Sequence, residues 1–497
     1  MTSKISFSKI LKEEFRHHLV SMFVVVLCFL GEVLLFYFDV QDLVIRREDN
    51  LPYIKEALAA EGEPVIEAMI PAMVLGVILA VEYFSYLHSR RKTDFYFSLP
   101  VKRGHQFLMG ILVCLGIFII PCLAASGLEI AVGYATGYAG MAFLTNMLWR
   151  TFCKVLCFAA MWVTMALAMI MTGNQAVALL GLGAFCSYIP LLIRYLLPFY
   201  QGFFYETYLQ PYRTLKGMWY YFSPVSLATG MSGRYYNWIL KEHLSYMIGM
   251  IVFTAVIGAL AYLLYLKRPA EAAGRAMAFE KVNMPIRFAI VIPLALYFGF
   301  FLSEMSRDNG AKIWLIIGII VGVILLHGIV ESIFNFDLRK MFAKKKQMLL
   351  TMGCCLGFVL VLQLNVNRFN AFIPEESEVE RIVFSVNNDN VYFYDVDVEN
   401  DDEAGVSGEH VGSVLKMVEN AIELNNNIDS YNENEALSCI TVKYQMKNGR
   451  IKARQYNSFD TLDEENRKLL DSVIGTEEFK KDYYKELFYF KKASIFF

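Results

Sequence analysis

The sequence has few charged residues: Asp, Glu, Lys and Arg make up only 19% of its 497 residues, whereas 56% are hydrophobic. This scarcity excludes an ordinary soluble protein, in which about a quarter of the residues are charged. Proline is also rare, with 13 residues, so a proline-rich or collagen-like chain is excluded. The mean hydropathy of +0.41 instead predicts a polytopic membrane protein.

Several catalytic motifs are missing from the sequence. It has no Gly-x-x-x-x-Gly-Lys-Ser/Thr loop, so it is not expected to hydrolyse ATP by the usual phosphate-loop chemistry. The absence of His-Glu-x-x-His, Cys-x-x-Cys and Gly-x-Ser-x-Gly argues against a metalloprotease, a metal finger and a serine hydrolase. Eight of the nine cysteines lie in apolar runs, which predicts no disulfide framework. We therefore expect neither an enzyme nor a directly bound cofactor or metal.

Long apolar runs predict nine transmembrane helices, each long enough to cross about 30 Å of hydrocarbon. The segments that would lie on the N-terminal side contain 19 Lys and Arg, against 10 in the opposite loops. This bias places the N-terminus in the cytoplasm and, with nine spans, the C-terminal tail outside the cell. The predicted spans cover residues 19–38, 68–87, 107–133, 152–172, 176–198, 244–266, 287–303, 311–330 and 348–365.

The loop at residues 88–110 is short, basic and aromatic, and lies between two long apolar runs. Its charge predicts a cytoplasmic position, and its amphiphilic centre, 95–100, predicts a short surface helix that Pro100 ends. Such a helix is either an interfacial anchor without a partner or a docking site for a cytosolic protein.

The motif Arg90-Arg-Lys-Thr-Asp-Phe-Tyr, followed by Ser98-Leu-Pro-Val-Lys-Arg103, resembles the loop between the second and third spans of ABC-2-type transporter permeases. The resemblance covers roughly residues 1–265. It implies that the loop docks on a separate ATPase subunit, which binds ATP and Mg²⁺, and that two permease chains frame the pathway, as a homodimer or a heterodimer. The residues that it implies for coupling are Arg90, Arg91, Asp94, Phe95, Tyr96, Leu99, Pro100 and Arg103.

Four regions follow from these patterns. The pattern of residues 1–18 predicts an amphipathic helix that resembles the N-terminal elbow of the ABC-2 family. Residues 19–266 are predicted to form a six-span core. Residues 267–366 add three spans after a polar, helix-prone hinge. The chain from residue 367 onward carries a net charge of −11, against +9 for the chain before it, and residues 371–497 are predicted to form a small extracytoplasmic α/β domain.

The tail sequence predicts individual elements of that domain. Strands are expected at 378–386 and 390–398, and helices at 411–424, 462–474 and 479–490. Asn448-Gly449 lies between two alternating runs, 440–447 and 451–456, and suits the tight turn of a hairpin. The same strand alternation accounts for Asp395 and Asp397, so no metal site is assigned to them.

The segment 199–240 contains fourteen aromatic residues and no uninterrupted apolar run. This composition predicts short interfacial or re-entrant helices on the outer face, because Tyr and Trp prefer the headgroup level. Phe222-Ser-Pro-Val-Ser226 resembles the Leu-Ser-Pro signature of the ABC-2 family at this place. Aromatic-belt packing and direct substrate contact both remain open for the aromatic segment, Trp219, Tyr220, Tyr221, Phe222 and Pro224.

The charged residues inside predicted spans need an explanation, because an unpaired charge there costs a few kcal/mol. Glu32, Glu129, Lys154 and Arg194 lie near the outer edge, and we expect at least one ion pair among them. Glu32 is the deepest, with Arg194 as the preferred partner and Lys154 as the alternative. Glu82 lies near the inner end, where it is expected to fasten the 88–110 loop to a neighbour.

Two functions are compatible with the sequence. The first is the permease subunit of an ATP-driven exporter in the plasma membrane, in contact with lipid and without a nucleic-acid partner. The second is a membrane sensor or interaction protein whose external C-terminal domain binds a ligand or partner. The coupling loop distinguishes them, because a pure sensor needs no ATPase contact. The substrate is not encoded in any pattern of the chain.

Overall fold

The structure is a computed structural model that describes residues 15–16, 18–46, 51–209, 218–233, 240–306, 310–365, 368–388, 391–392, 405–426, 438–461 and 463–481. Within these ranges, nine helices are long and apolar enough to cross a membrane. Their number agrees with the prediction, and each overlaps a predicted span. Most of the predicted elbow helix, residues 390–398 beyond the pair 391–392, and most of the predicted helix at 479–490 lie outside the described residues.

The helices of the first part run as follows. Helix α1 is Leu19–Arg46, α2 is Leu51–Glu61, α3 is Ile66–Phe84, α4 is Arg90–Ser98, α5 is Arg103–Ala135, α6 is Met141–Met171 and α7 is Gln175–Leu191. A π turn at Leu192–Leu196 joins α7 to α8, Leu197–Phe204. Helices α9, α10, α11, α12 and α13 follow at Pro224–Met231, Leu240–Lys267, Asn283–Met305, Ala311–Asn335 and Lys345–Gln363.

The chain divides into two compact units, which are described separately. The first comprises residues 1–193 and 218–352, and the second 194–217 and 353–497. In the first, α3 packs closely against α6, since a side chain at Gly76 would meet the backbone of Phe158. Helices α11 and α12 approach equally closely at Gly299 and Gly318. Small residues of this kind let the backbones of neighbouring helices pack together.

Helix α2 was not expected, because the sequence placed residues 39–67 in a loop. Ile54 and Leu58 are fully buried, and Leu58 packs in a cluster with Phe36, Val40 and Phe143. The helix ends in a break at residues 62–65, and α3 begins at Ile66. Its eleven residues are too few to cross the hydrocarbon layer, so the number of candidate spans does not change.

Segments predicted for the same side of the membrane contact one another in the first unit. At one end, Thr172 forms an isolated β-bridge with Met277, and Arg103 donates a hydrogen bond of 2.9 Å to the Arg268 carbonyl. At the other end, the Asn146 amide donates to the Ala59 carbonyl over 3.0 Å. The helix ends therefore segregate into the two predicted sets. That the first set is cytoplasmic stays a prediction.

The second unit contains an antiparallel sheet with the strands β1 (Val379–Asn388), β2 (Val391–Tyr392), β3 (Gly405–Ser407), β4 (Ser438–Met446) and β5 (Ile451–Phe459). The order is β2-β1-β4-β5, with β3 also beside β1. Two amphipathic helices, α14 (Val411–Asn426) and α15 (Glu464–Ile474), complete the fold, and α14 packs on β5. The predicted β4–β5 hairpin is confirmed, and Gly449 adopts a positive φ of 75° in its turn.

Candidate functional site

Helix α4 is the surface helix expected between the second and third spans. It ends at Ser98, and Leu99 is already extended, as Pro100 requires. Phe95 leaves 62% of its surface exposed, and the side chains that share this outer face are Arg90, Arg91, Asp94 and Pro100. The outer face of α4 is therefore a cationic surface with one large exposed aromatic ring.

The inner face of α4 is fastened to the protein. Tyr96 stacks on Tyr86 with ring centroids 4.3 Å apart, and its carbonyl accepts a 2.8 Å hydrogen bond from Gln106. The Arg103 guanidinium lies over the Phe97 ring at 3.9 Å. Of the residues expected to couple, Tyr96 and Arg103 thus hold the helix in place, and Leu99 is half-buried.

Arg268 lies beneath this helix, and its side chain is almost completely buried. Its guanidinium donates hydrogen bonds to the carbonyls of Met169, Thr172 and Leu87 at 3.0, 2.7 and 3.0 Å, and also to that of Ile170. Burial lowers the pKa of Arg268 to about 10, so the side chain stays charged at neutral pH. One cation thereby joins the ends of α6 and α10 to the segment that leads into α4.

The segment between α10 and α11 differs from the helix-prone hinge that was expected. It forms two short 3₁₀ turns, Ala270–Ala272 and Glu280–Val282, separated by turns and bends in which Gly274 adopts a positive φ of 83°. The small residues are buried against the α6–α7 turn, where the Ala278 amide donates to the Met171 carbonyl over 2.8 Å. Tertiary packing of these alanines, rather than their helix propensity, determines the conformation.

Gly173, in the α6–α7 turn, provides a sensitive test of this packing. A β-carbon there would collide with the carbonyl oxygens of Ala272 and Arg275. Gly173→Ala is therefore expected to displace the 268–278 segment and lower the thermal unfolding midpoint of the purified protein, measured by thiol-dye fluorescence. Gly183→Ala is the matched control, because a β-carbon at Gly183 in α7 meets no atom within 4 Å. Equal midpoints for the two variants would contradict the expected displacement.

A second group of functional candidates is a buried charge cluster between α1, α5 and α6. Lys154 forms an ion pair with Glu32 and lies 3.8 Å from Glu129, and Arg150 lies 3.5 Å from Glu32. The side chains of Lys154 and Glu129 are 1% and 0% exposed. The expectation of an ion pair is confirmed by Glu32 and Lys154, the partner that was expected as the alternative to Arg194. Lys154 and Arg150 are the basic side chains that lie beside the Glu32 carboxylate.

Charge balance explains why this cluster is tolerated in an apolar bundle. Two acids face two bases, so no net charge is buried, although Glu129 makes no hydrogen bond among the described residues. Arg150 additionally donates to the carbonyl of Glu61 over 2.7 Å, which connects the cluster to α2. The arrangement locks three helices together near one end of the bundle, and it would open only if these ion pairs were broken.

Glu82 and the aromatic segment have defined partners as well. Glu82 accepts hydrogen bonds from Ser21 and, at 2.9 Å, from His18, so it fastens α3 to the start of α1. In the aromatic segment, Trp219 packs on Tyr220 at 4.1 Å. Tyr221 and Phe222 are exposed, whereas Pro224 is buried and begins α9. The short helices expected here are present, and α9 lies among the methionine-rich core between α3, α6 and α10.

Two buried cations, Arg150 and Arg268, were not anticipated, because each lies beside a predicted span end and resembles an ordinary flanking charge. A buried ion pair of 2.7 Å between Arg287 in α11 and Glu331 in α12 was likewise not anticipated. Within the described part of the chain, no three His, Cys, Asp or Glu side chains are grouped to hold a metal ion. No family model, curated protein or solved structure matches the chain.

Proposed function

We propose that the chain is the permease subunit of an ATP-driven exporter and that a separate ATPase docks on the outer face of α4. The observation that supports this most directly is that one face of α4 is exposed while the opposite face packs against the protein. On its outer face, Phe95 is exposed among charged side chains. Its inner face contacts Arg103 and Gln106 of α5, and Arg103 also donates a hydrogen bond to the Arg268 carbonyl. A docked protein that moved α4 would therefore also move the helix ends beneath it.

The proposed mechanism is mechanical. ATP and Mg²⁺ bind to the partner ATPase, whose closure pushes α4. The displacement passes through the Arg103–Arg268 contact to the ends of α6 and α10. The Glu32–Lys154 cluster closes the outer end of the pathway until those helices shift. A second permease chain completes the pathway, and no nucleic acid takes part.

This proposal includes a location for the protein. The chain spans the plasma membrane with its N-terminus in the cytoplasm and its C-terminal domain outside the cell. The loop charges and the segregation of the helix ends support this orientation. The single cysteine of the C-terminal domain, Cys439, is partly exposed and provides a position for labelling that domain from outside intact cells.

Phe95→Asp is expected to abolish co-purification of the ATPase, because it places a carboxylate at the centre of the proposed contact. The side chain is mostly exposed, so insertion and folding should not change. The measurement is the ATPase-to-permease ratio after affinity purification of the chain from membranes. Ile451→Asp, at an exposed apolar residue of the C-terminal domain, is the control. An unchanged ratio for Phe95→Asp would refute docking at α4.

A second candidate function is a membrane sensor, in which a ligand or partner binds the C-terminal domain and the membrane helices transmit that binding. The second unit favours it, because strand β5 contacts the chain beside the last candidate span. Arg454 lies 3.6 Å above the Phe369 ring, and the Gln455 amide donates to the Thr207 carbonyl over 3.1 Å. A ligand on the sheet would have a direct route to these segments. Retention of signalling in a Phe95→Asp chain would support the sensor over the exporter.

A further inference from the structure

A cavity of about 410 Å³ lies at the end of the bundle that contains the α6–α7 turn. It is bounded by the start of α7 and the end of α12. Its walls are mostly apolar and include Val177, Leu180, Ile333, Phe336 and Leu338. Such a space suits a hydrocarbon chain better than a polar solute, because the apolar walls provide few hydrogen-bond partners.

Basic residues begin directly after the cavity wall. Arg339, Lys340, Lys344, Lys345 and Lys346 follow Leu338 within eight positions, and all are exposed. Leu338 and Phe342 lie among them with 76% and 45% of their surfaces exposed. Two acids lie nearby: Glu331 is buried and pairs with Arg287, with Lys344 3.9 Å away, and Asp337 accepts from the Arg339 amide at 3.0 Å and keeps its charge. The segment therefore presents an excess of positive charge beside apolar side chains.

The position of this segment fixes its depth relative to a membrane. It connects α12, which ends at Asn335, to α13, which begins at Lys345, and both are candidate spans. A short connection between two spans lies at the level of the lipid headgroups, with the cavity immediately beneath it. Clusters of Lys and Arg at this level attract anionic lipid, and each contributes about 1 kcal/mol near the surface.

We propose that the cavity and the adjacent basic segment form a binding site for an acidic phospholipid. One acyl chain enters the cavity between α7 and α12, and the anionic headgroup lies against Arg339, Lys340 and Lys344–Lys346. The apolar cavity selects an amphiphile over a free anion, and the cationic segment selects an acidic headgroup over a zwitterionic one. The site requires that the nine helices span a membrane, but it does not depend on an ATPase.

The test uses the full chain in detergent, titrated with a fluorescent phosphatidylglycerol and, separately, with the matching phosphatidylcholine. We expect phosphatidylglycerol to bind more tightly, and the triple change Lys344→Gln, Lys345→Gln and Lys346→Gln to weaken it roughly 100-fold, given the contribution of each charge. The control removes three exposed lysines of the C-terminal domain, Lys468→Gln, Lys480→Gln and Lys481→Gln, and should leave binding unchanged.

A second variant tests the cavity independently of charge. Ala176 lines the cavity and is exposed at the start of α7, so Ala176→Trp should fill the space without disturbing the core and weaken phosphatidylglycerol binding. Equal affinity for the two lipids, or unchanged binding by both variants, would overturn the proposal. Displacement of the lipid by millimolar inorganic phosphate would also overturn it, because the site would then recognise a free anion.

Discussion

Lys154→Met should destabilise the folded protein by about 3–5 kcal/mol, the usual cost of removing one partner from a buried ion pair. The side chain is 1% exposed and lies between Glu32 and Glu129, so its loss leaves Arg150 as the one base paired with these two carboxylates among the described residues. The expected result is a large fall in the thermal midpoint and in the monodisperse yield. Thiol-dye fluorescence reports the midpoint, because Cys122, Cys153 and Cys157 are buried beside the cluster and react on unfolding.

The control for this variant is Lys55→Met, which removes an exposed lysine from α2. The chain carrying Glu32→Gln together with Lys154→Met should recover part of the lost stability, since one unpaired acid has then been neutralised. Strictly additive effects of the two changes would show that Glu32 and Lys154 do not interact. In an assembled exporter, Glu32→Gln alone should also raise ATP turnover without transport, because the outer closure is weakened.

Arg268→Met should have an effect of similar size. It leaves the carbonyls of Leu87, Met169, Ile170 and Thr172 without this donor in a buried place. The Met169 carbonyl keeps a hydrogen bond of 3.0 Å to His88, and each of the other three acceptors costs about 1–3 kcal/mol when unpaired, so we expect a loss on the order of 3–9 kcal/mol. The midpoint of thermal unfolding measures this, with Lys267→Met as the neighbouring control at an exposed position. A midpoint equal to that of the control would show that water replaces the guanidinium without cost.

Arg268→Lys adds information about coupling. A lysine keeps the charge but cannot reach four carbonyls with the fork of a guanidinium. If the chain is the proposed permease, we therefore expect a folded protein that still binds the ATPase through Phe95 but transports less per ATP hydrolysed. Loss of ATPase binding in Arg268→Lys, with Phe95 intact, would mean that α4 itself had moved and that Arg268 positions the docking surface.

The elements that could be predicted from the sequence are those whose signal is local. Apolar length marked the nine candidate spans, and Asn448-Gly449 between alternating strands marked the hairpin, because both follow from short-range physical chemistry. The end of α4 was also predictable, since Pro100 excludes helix at the residue before it.

The features that escaped prediction depend on contacts between distant parts of the chain. Glu32 was matched with Arg194 by reach and depth alone, whereas helix packing brings Lys154 and Arg150 to it instead. The alanine-rich segment after Lys267 has helical propensity, but burial against Gly173 overrides it. The sequence pattern around Glu32 or after Lys267 does not indicate which distant residues each stretch contacts. Those contacts are known only from the folded structure.

The segment 268–282 has a consequence for how this chain can be divided. Its alanines and Arg268 complete the floor under α4, and Ala276 and Met277 also cluster with residues of α11 and α12. A shortened protein that stops at Lys267 would lack that floor, whereas one that stops after Val282 would keep it.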